Sequence, residues 1–125
     1  MRTGRFGWLA WAAVLGGCGP WATPSLTERL QDEDPAVRAR AAVEAGEQRD
    51  RQAVPYLIDR LTDRERAVRM FAIGALAKIT GERRGYPPFG ESAEQEEAAR
   101  RWRRWWQQQG GAAASAAETP EGTSP

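Results

Sequence analysis

Residues Leu57 to Ala77 read LIDRLTDRERAVRMFAIGALA. An earlier stretch, Leu26 to Gly46, matches it after a shift of 31 positions, with 8 identical residues in 21. The identical pairs are Leu26/Leu57, Arg29/Arg60, Leu30/Leu61, Asp32/Asp63, Ala36/Ala67, Val37/Val68, Arg38/Arg69 and Ala41/Ala72. A period of this size is typical of helical repeat proteins, in which each unit buries its apolar face on the next. The chain is therefore predicted to be all-α.

Capping residues divide the first copy into two helices. Ser25 and Glu28 have the spacing of a capping box, in which the serine oxygen accepts an amide and the glutamate reaches back to the cap. Asp34 and Pro35 start the second helix, because aspartate caps free amides and proline tolerates the first position. Gly46 is predicted to end that helix.

The second copy repeats this plan with more apolar residues. Pro55 fits the first turn of its first helix. The second helix is apolar nearly all round from Val68 to Ile79, so we expect it to be central, with neighbours on both sides. Gly81 is predicted to stop it.

The two copies resemble HEAT repeats. That family combines a short helix carrying paired leucines, an aspartate in the turn, and then Val-Arg with an alanine four residues after the valine. The matching residues are Leu26, Leu30, Asp32, Val37, Arg38 and Ala41, and then Leu57, Leu61, Asp63, Val68, Arg69 and Ala72. The resemblance implies a short α-α superhelix of two helical hairpins, in repeats of about 24–46 and 53–80. Most such proteins are protein-binding scaffolds.

The same resemblance implies a ladder of charges between adjacent repeats. Its members would be Asp32, Arg38, Asp63 and Arg69, since in the family the turn aspartate pairs with the helix arginine. A carboxylate can neutralise a guanidinium and accept turn amides together. Only two repeats are evident, while three or more are usually needed for stability.

A third helix is predicted to replace the missing repeat. The loop 81–91 carries Tyr86 and Phe89, which we expect to pack on the end of the superhelix. Ser92 to Gln95 read as a second capping box that starts a capping helix over 92–109. One stripe of that helix holds Ala98, Trp102, Trp105 and Trp106, which would either close the core or lie partly exposed to a partner or a membrane. Residues 110–125 are small and polar and are expected to form a disordered tail.

The amino terminus has the pattern of an export signal. Arg2 and Arg5 precede an apolar run of twelve residues, which is too short to span a bilayer of about 30 Å. Leu15-Gly16-Gly17-Cys18 resembles the lipobox of bacterial lipoproteins. The resemblance implies a signal peptide over 1–17, lipid attachment at Cys18 and a lipidated tether over 18–23. The alternative is a short hydrophobic helix with an incidental thiol.

Composition excludes several classes of function. The chain has no histidine and one cysteine, so it cannot build a histidine-based triad or an intrachain disulfide, and the usual Cys/His zinc sites are also ruled out. Lys+Arg number 18 and Asp+Glu 17, which argues against a dedicated nucleic-acid binder. We therefore predict no catalytic residues, no metal, no cofactor and no nucleic-acid partner.

The favoured function is protein–protein interaction by a lipid-anchored HEAT-repeat scaffold at the bacterial cell envelope, in the cell membrane or the outer membrane and facing the periplasm or exterior. The protein partner is unknown. The candidate contact residues are Tyr86, Phe89, Arg100, Arg101, Arg103 and Arg104. The alternatives are an accessory protein related to phycobilin lyases, which HEAT-like repeats also resemble, and a purely structural tethered spacer.

Overall fold

The computed structural model describes residues 22–117, and within that range it contains helices and no strand. The predicted all-α class is therefore confirmed. Five α-helices follow one another: α1 (Leu26–Arg29), α2 (Pro35–Gln48), α3 (Val54–Arg60), α4 (Arg66–Thr80) and α5 (Ser92–Ala117), with a short 3-10 turn (Arg51–Ala53) before α3. The predicted signal peptide, Cys18 and most of the tether lie outside the described residues.

The first hairpin starts as its capping residues predict. The Ser25 side chain accepts from the Glu28 amide, and the Glu28 carboxylate accepts from the Ser25 amide at 2.6 Å, which completes the capping box. The Asp34 carboxylate accepts the Ala36 amide at 2.8 Å, and Pro35 occupies the first turn of α2. Local sequence therefore sets where both helices begin.

Gly46 does not end α2, and that prediction is wrong. The helix continues to Gln48, and Arg49 takes the left-handed conformation (φ 51°) beyond it. Gly46 is instead buried where α2 meets α4. A Cβ added there would lie 2.9 Å from the Cα of Ala75. The glycine is required because the two backbones approach closely, not because the chain turns.

The second hairpin is the centre of the core. Helix α4 packs against both α2 and α3, and Gly81 ends it in the left-handed conformation (φ 84°) as predicted. Its apolar surface is not covered all round, because Phe71 remains 45% exposed. The fully buried side chains contributed by this hairpin are Val54, Leu57, Ile58, Leu61, Val68, Ala72, Ile73 and Leu76.

Helix α5 packs on α3 and completes the same core. Ala98, Ala99 and Trp102 have no exposed surface, while Trp105 and Trp106 are half-buried against the cluster. The structure thus favours the buried-cap interpretation of the tryptophan stripe. The helix runs to Ala117, past the predicted end at residue 109, over a segment rich in alanine, the best helix former. Residues 118–125 of the predicted tail lie outside the described range.

The start of α5 also differs from the prediction. The helix begins at Ser92, so Glu91 holds the cap position, and its amide donates to the Glu94 carboxylate at 2.9 Å. Gln95 does not close a capping box. Its side-chain Nε2 donates to the backbone oxygen of Pro87 at 3.2 Å and so connects the helix to the preceding loop.

Candidate functional site

An ion pair between Arg38 and Asp63 joins the two repeats. Arg38 lies in the first turn of α2, and Asp63 lies in the turn between α3 and α4. The Nε and Nη2 of Arg38 donate to the two carboxylate oxygens of Asp63, each at 2.8 Å. The Nη1 of Arg38 donates to the backbone oxygens of Asp32 and Glu33 at 2.7 and 2.9 Å. One guanidinium therefore connects the turns of both repeats.

The Asp63 side chain is 3% exposed, and its carboxylate accepts hydrogen bonds from several groups. One oxygen also accepts the Glu65 amide at 3.0 Å, and the other lies 3.3 Å from Nη1 of Arg60. Burial raises the pKa of Asp63, but hydrogen bonds from Arg38 and the Glu65 amide, with the charges of Arg38 and Arg60, outweigh it. The pKa of Asp63 therefore lies below its usual 3.8.

The other two ladder residues lie at the two ends of the stack and do not meet. Asp32 accepts the Asp34 amide at 2.8 Å, just as Asp63 accepts the Glu65 amide. Arg69 donates from Nη1 to the backbone oxygens of Asp63 and Arg64 at 2.6 and 3.1 Å, as Arg38 does in the first turn. Two repeats supply one inter-repeat ion pair, so neither Asp32 nor Arg69 takes part in one.

Tyr86 was predicted to be a contact residue, and its burial rules that out. The residue is 4% exposed, and its hydroxyl donates to the backbone oxygen of Leu61 at 2.7 Å. Burial raises the pKa of Tyr86 above its usual 10.0, and the nearby Arg69 guanidinium offsets only part of that rise. Tyr86 is a core residue that joins the loop to the end of α3. The expectation that it packs on the end of the superhelix is confirmed.

The rest of the loop 81–91 is held by α5. The Trp102 indole donates to the backbone oxygen of Arg83 at 3.3 Å, and Arg101 donates to the backbone oxygen of Gly85 at the same distance. Together with the bonds of Tyr86 and Gln95, these contacts fix the loop along its length. These hydrogen bonds therefore hold the loop in place against the helices.

Phe89 was expected to pack on the end of the superhelix with Tyr86, and that prediction is wrong, because it is the side chain that this loop presents to solvent. It is 71% exposed, the largest exposed fraction of any large hydrophobic residue among those described. The guanidinium of Arg66, from the start of α4, lies 4.8 Å from the centre of its ring. This distance is within the range of a cation–π interaction, which holds the exposed ring in place.

The four predicted arginines of α5 divide into two pairs. Arg101 is also paired with Glu97 at 3.6 Å, and Arg103 lies 3.4 Å from Asp59 of α3. Arg100 and Arg104 are exposed and make no ion pair with any other described residue. Because they are four residues apart, they share one face of the helix. Arg100 and Arg104 are thus the two arginines of this set without a carboxylate partner among the described residues.

Arg84 contacts the tryptophans of α5, and the sequence did not predict this role. Its backbone is left-handed (φ 48°), and its guanidinium lies 4.2 Å from the Trp105 ring centre and 5.4 Å from that of Trp102. It also pairs with Glu82 at 3.1 Å. The only local signal was an arginine before Gly85, and that pattern does not reveal stacking on a helix formed later in the chain.

The described part of the chain offers no sign of metal or membrane-spanning elements. No group of His, Cys, Asp or Glu in it has the arrangement of a metal site. None of its helices combines the length and apolar character needed to cross a bilayer. A cavity of about 600 Å³ opens between the two repeat turns, and its lining includes charged residues of both signs.

Comparison with known proteins identifies the family. No curated protein and no solved structure gives a match. The family model for HEAT repeats matches residues 23–105, which is most of the chain and includes both hairpins and the tryptophan stripe of α5 up to Trp105. The match and the Arg38–Asp63 pairing of successive repeat turns lead to one conclusion: the chain belongs to the HEAT-repeat family.

Proposed function

We propose that this protein is a lipid-anchored interaction module whose partner binds at Phe89 and at the exposed arginines of α5. HEAT repeats typically mediate protein–protein interaction. The observation that carries the proposal is a phenylalanine with 71% of its surface exposed, on a loop held by hydrogen bonds at several points. An aromatic side chain that is already fixed loses little conformational entropy on binding.

The residues proposed for the contact suggest the character of the partner. Arg66 stacks on Phe89, and Arg100 and Arg104 are exposed without carboxylate partners among the described residues. Aromatic and arginine side chains are the residues most often found at the energetic centres of interfaces. An acidic protein surface with an apolar recess would match them.

The anchor is a separate part of the proposal and rests on the Leu15-Gly16-Gly17-Cys18 pattern. A lipid on Cys18 with an acylated amino terminus would place the repeats beside a membrane at the cell envelope, with the partner in the periplasm or outside. Two or more acyl chains give stable anchoring, because each buried CH₂ contributes about 0.8 kcal/mol.

The contact surface is tested by cross-linking and pull-down from a bacterial host with matched variants. Phe89→Ala should reduce partner recovery at least tenfold, as expected for a hot-spot aromatic residue worth about 2 kcal/mol. Phe71→Ala is the control, because Phe71 is the other exposed large hydrophobic residue and lies on α4. Loss of binding with Phe71→Ala but not with Phe89→Ala would move the site to α4 and overturn the proposal.

The anchor is tested by the intact mass of the mature protein in membrane and soluble fractions. We expect residues 18–125 with a diacylglycerol and an acyl chain, recovered with membranes. Cys18→Ser should leave the protein unprocessed and without lipid. A wild-type chain that retains residues 1–17 and carries no lipid would refute the anchor without affecting the contact surface.

A further inference from the structure

Arg38 and Arg69 occupy equivalent positions, 31 residues apart, but differ in one respect. Both donate from Nη1 to two backbone oxygens of their own turn. Arg38 then uses its Nε and Nη2 to hold both oxygens of the Asp63 carboxylate. The Nε of Arg69 is buried and has no hydrogen-bond partner, which is also true of the Nε of Arg60 and of Arg84. The second repeat thus contains the arginine of a rung without its carboxylate.

The described residues supply no acid to complete the rung. Arg69 forms no ion pair among residues 22–110. The group nearest to replacing the carboxylate is the Tyr86 hydroxyl, which lies beside Arg69 but donates its proton to the Leu61 backbone oxygen. A phenol is neutral at physiological pH, so it can accept a hydrogen bond from the guanidinium but cannot neutralise its charge.

Arg69 also lines a cavity. The space has a volume of about 290 Å³ and lies between the turn of the second repeat and the start of α5. The lining contains two carboxylates: that of Asp63 is held by Arg38, and that of Glu96 is free. The other polar groups around the cavity are Arg64, Thr62, Ser92 and Gln95. A carboxyl group fits such a space, and the hydroxyl and amide groups can meet its remaining lone pairs.

We propose that this cavity is a carboxylate-binding site in which the Arg69 guanidinium binds the ligand. The attraction comes from the charge of Arg69, which lines the cavity and forms no ion pair with the other residues that the structure describes. A charge-assisted hydrogen bond between a guanidinium and a carboxylate is about twice as strong as a neutral one. The ligand is a small free carboxylate or the aspartate of a partner protein's turn. The site uses none of the residues of the proposed contact surface at Phe89.

The experiment follows the arginine Nε–Hε resonances of the ¹⁵N-labelled full chain during titration with sodium acetate, against sodium chloride at equal ionic strength. We expect the Arg69 resonance to shift and saturate with acetate only. The Arg38 resonance is the internal control, because its Nε is already bonded to a carboxylate. An Arg69 resonance that does not move, or that moves equally in both salts, would overturn the proposal.

Two variants sharpen the test. Glu96→Gln removes the repelling carboxylate of the cavity and should lower the acetate midpoint about two- to threefold. Arg69→Lys keeps the charge but replaces the planar, weakly hydrated guanidinium with a strongly hydrated ammonium, so saturable binding should disappear at the other cavity resonances, Gln95 among them. An unchanged Arg38 resonance shows that the variant is folded. Saturable binding that survives Arg69→Lys with unchanged affinity would refute the site.

A second titration distinguishes a small free carboxylate from the aspartate of a protein turn. The probe is an acetylated and amidated peptide of sequence Gln-Asp-Glu-Asp-Pro, which is the turn that carries Asp32 in this chain. Tighter binding than acetate, lost when the first aspartate is replaced by asparagine, supports the turn of a protein. Saturable acetate binding without peptide binding supports a free carboxylate. Failure of both probes overturns the proposal and leaves the proposed function at Phe89 untouched.

Discussion

At the scale of single residues, the two repeats show how one substitution redirects a neighbouring side chain. Arg29 of the first repeat pairs with Glu44 through two bonds of 2.7 and 3.1 Å. The residue 31 positions after Glu44 is Ala75, which packs against Gly46. Arg60, the equivalent of Arg29, therefore has no such acid and turns to Asp63 instead. The alanine at position 75 thus accounts both for the close contact of α2 with α4 and for the pairing of Arg60 with Asp63.

Gly46 provides a direct test of that helix contact. Gly46→Ala should destabilise the protein by about 1 to 3 kcal/mol, because the new Cβ would lie 2.9 Å from the Ala75 backbone. Gly74→Ala is the matched control: its Cβ would meet nothing within 4 Å, so it should stabilise α4 by about 0.5 to 1 kcal/mol. Urea unfolding measures both, and changes of the same sign would contradict the assignment.

Asp63 provides a test of pH dependence. Its pKa is lower in the folded protein than its usual 3.8, so its stabilising contribution is complete above that value and is lost as pH falls through the folded-state pKa. Asp63→Asn should cost about 3 kcal/mol at neutral pH, since it leaves Arg38 without its counter-charge. The difference in the free energy of unfolding between wild type and variant should become smaller in acid. Parallel stability curves from neutral pH to below 3.8 would contradict this assignment.

At the scale of elements, the loop 81–91 and α5 behave as one unit. The loop contributes backbone oxygens to Gln95, Arg101 and Trp102, and the ring of Tyr86 to the core. Arg84 covers two tryptophan rings from the loop side. The unit takes the place that a further repeat would occupy against α3. It closes the superhelix with aromatic side chains in place of another hairpin.

The Tyr86 hydroxyl is the bond that fixes this unit to the repeats. Tyr86→Phe should lower the free energy of unfolding by about 1 to 2 kcal/mol, because the Leu61 oxygen loses its buried donor. Tyr56→Phe, at a half-buried position of α3, should change it by less than about 0.5 kcal/mol. Thermal denaturation distinguishes them, since 1 kcal/mol shifts Tm by about 4 to 8 °C in a domain of this size. Equal shifts would mean that the bond does not contribute.

At the scale of the whole molecule, both hairpins and α5 share one hydrophobic core. Leu30 of the first repeat, Leu57 of the second and Trp102 of α5 belong to a single buried cluster. Three or more units are usually needed for a stable repeat stack, and α5 with its loop supplies the third layer. The molecule is therefore expected to unfold in one transition.

Truncation tests this dependence. A chain ending at Gly81 should lose cooperative unfolding, because it exposes the apolar side chains of α3 that α5 covers. A chain ending at Gly110 keeps the buried residues of α5 and should unfold cooperatively, as the full chain does. Far-UV circular dichroism against temperature compares the three. A sharp transition in the shorter chain would contradict the shared core.

The repeat, the helix starts at Ser25 and Asp34, and the arginine and aspartate that join the turns could all be predicted from the sequence. These features depend on residues close together in the chain or on its internal periodicity. Only the tertiary structure decided that Gly46 is a helix contact, that Tyr86 is buried while Phe89 is exposed, and that Arg84 covers the tryptophans. Burial and partner choice depend on residues far apart in the chain, and they arise only when the helices pack.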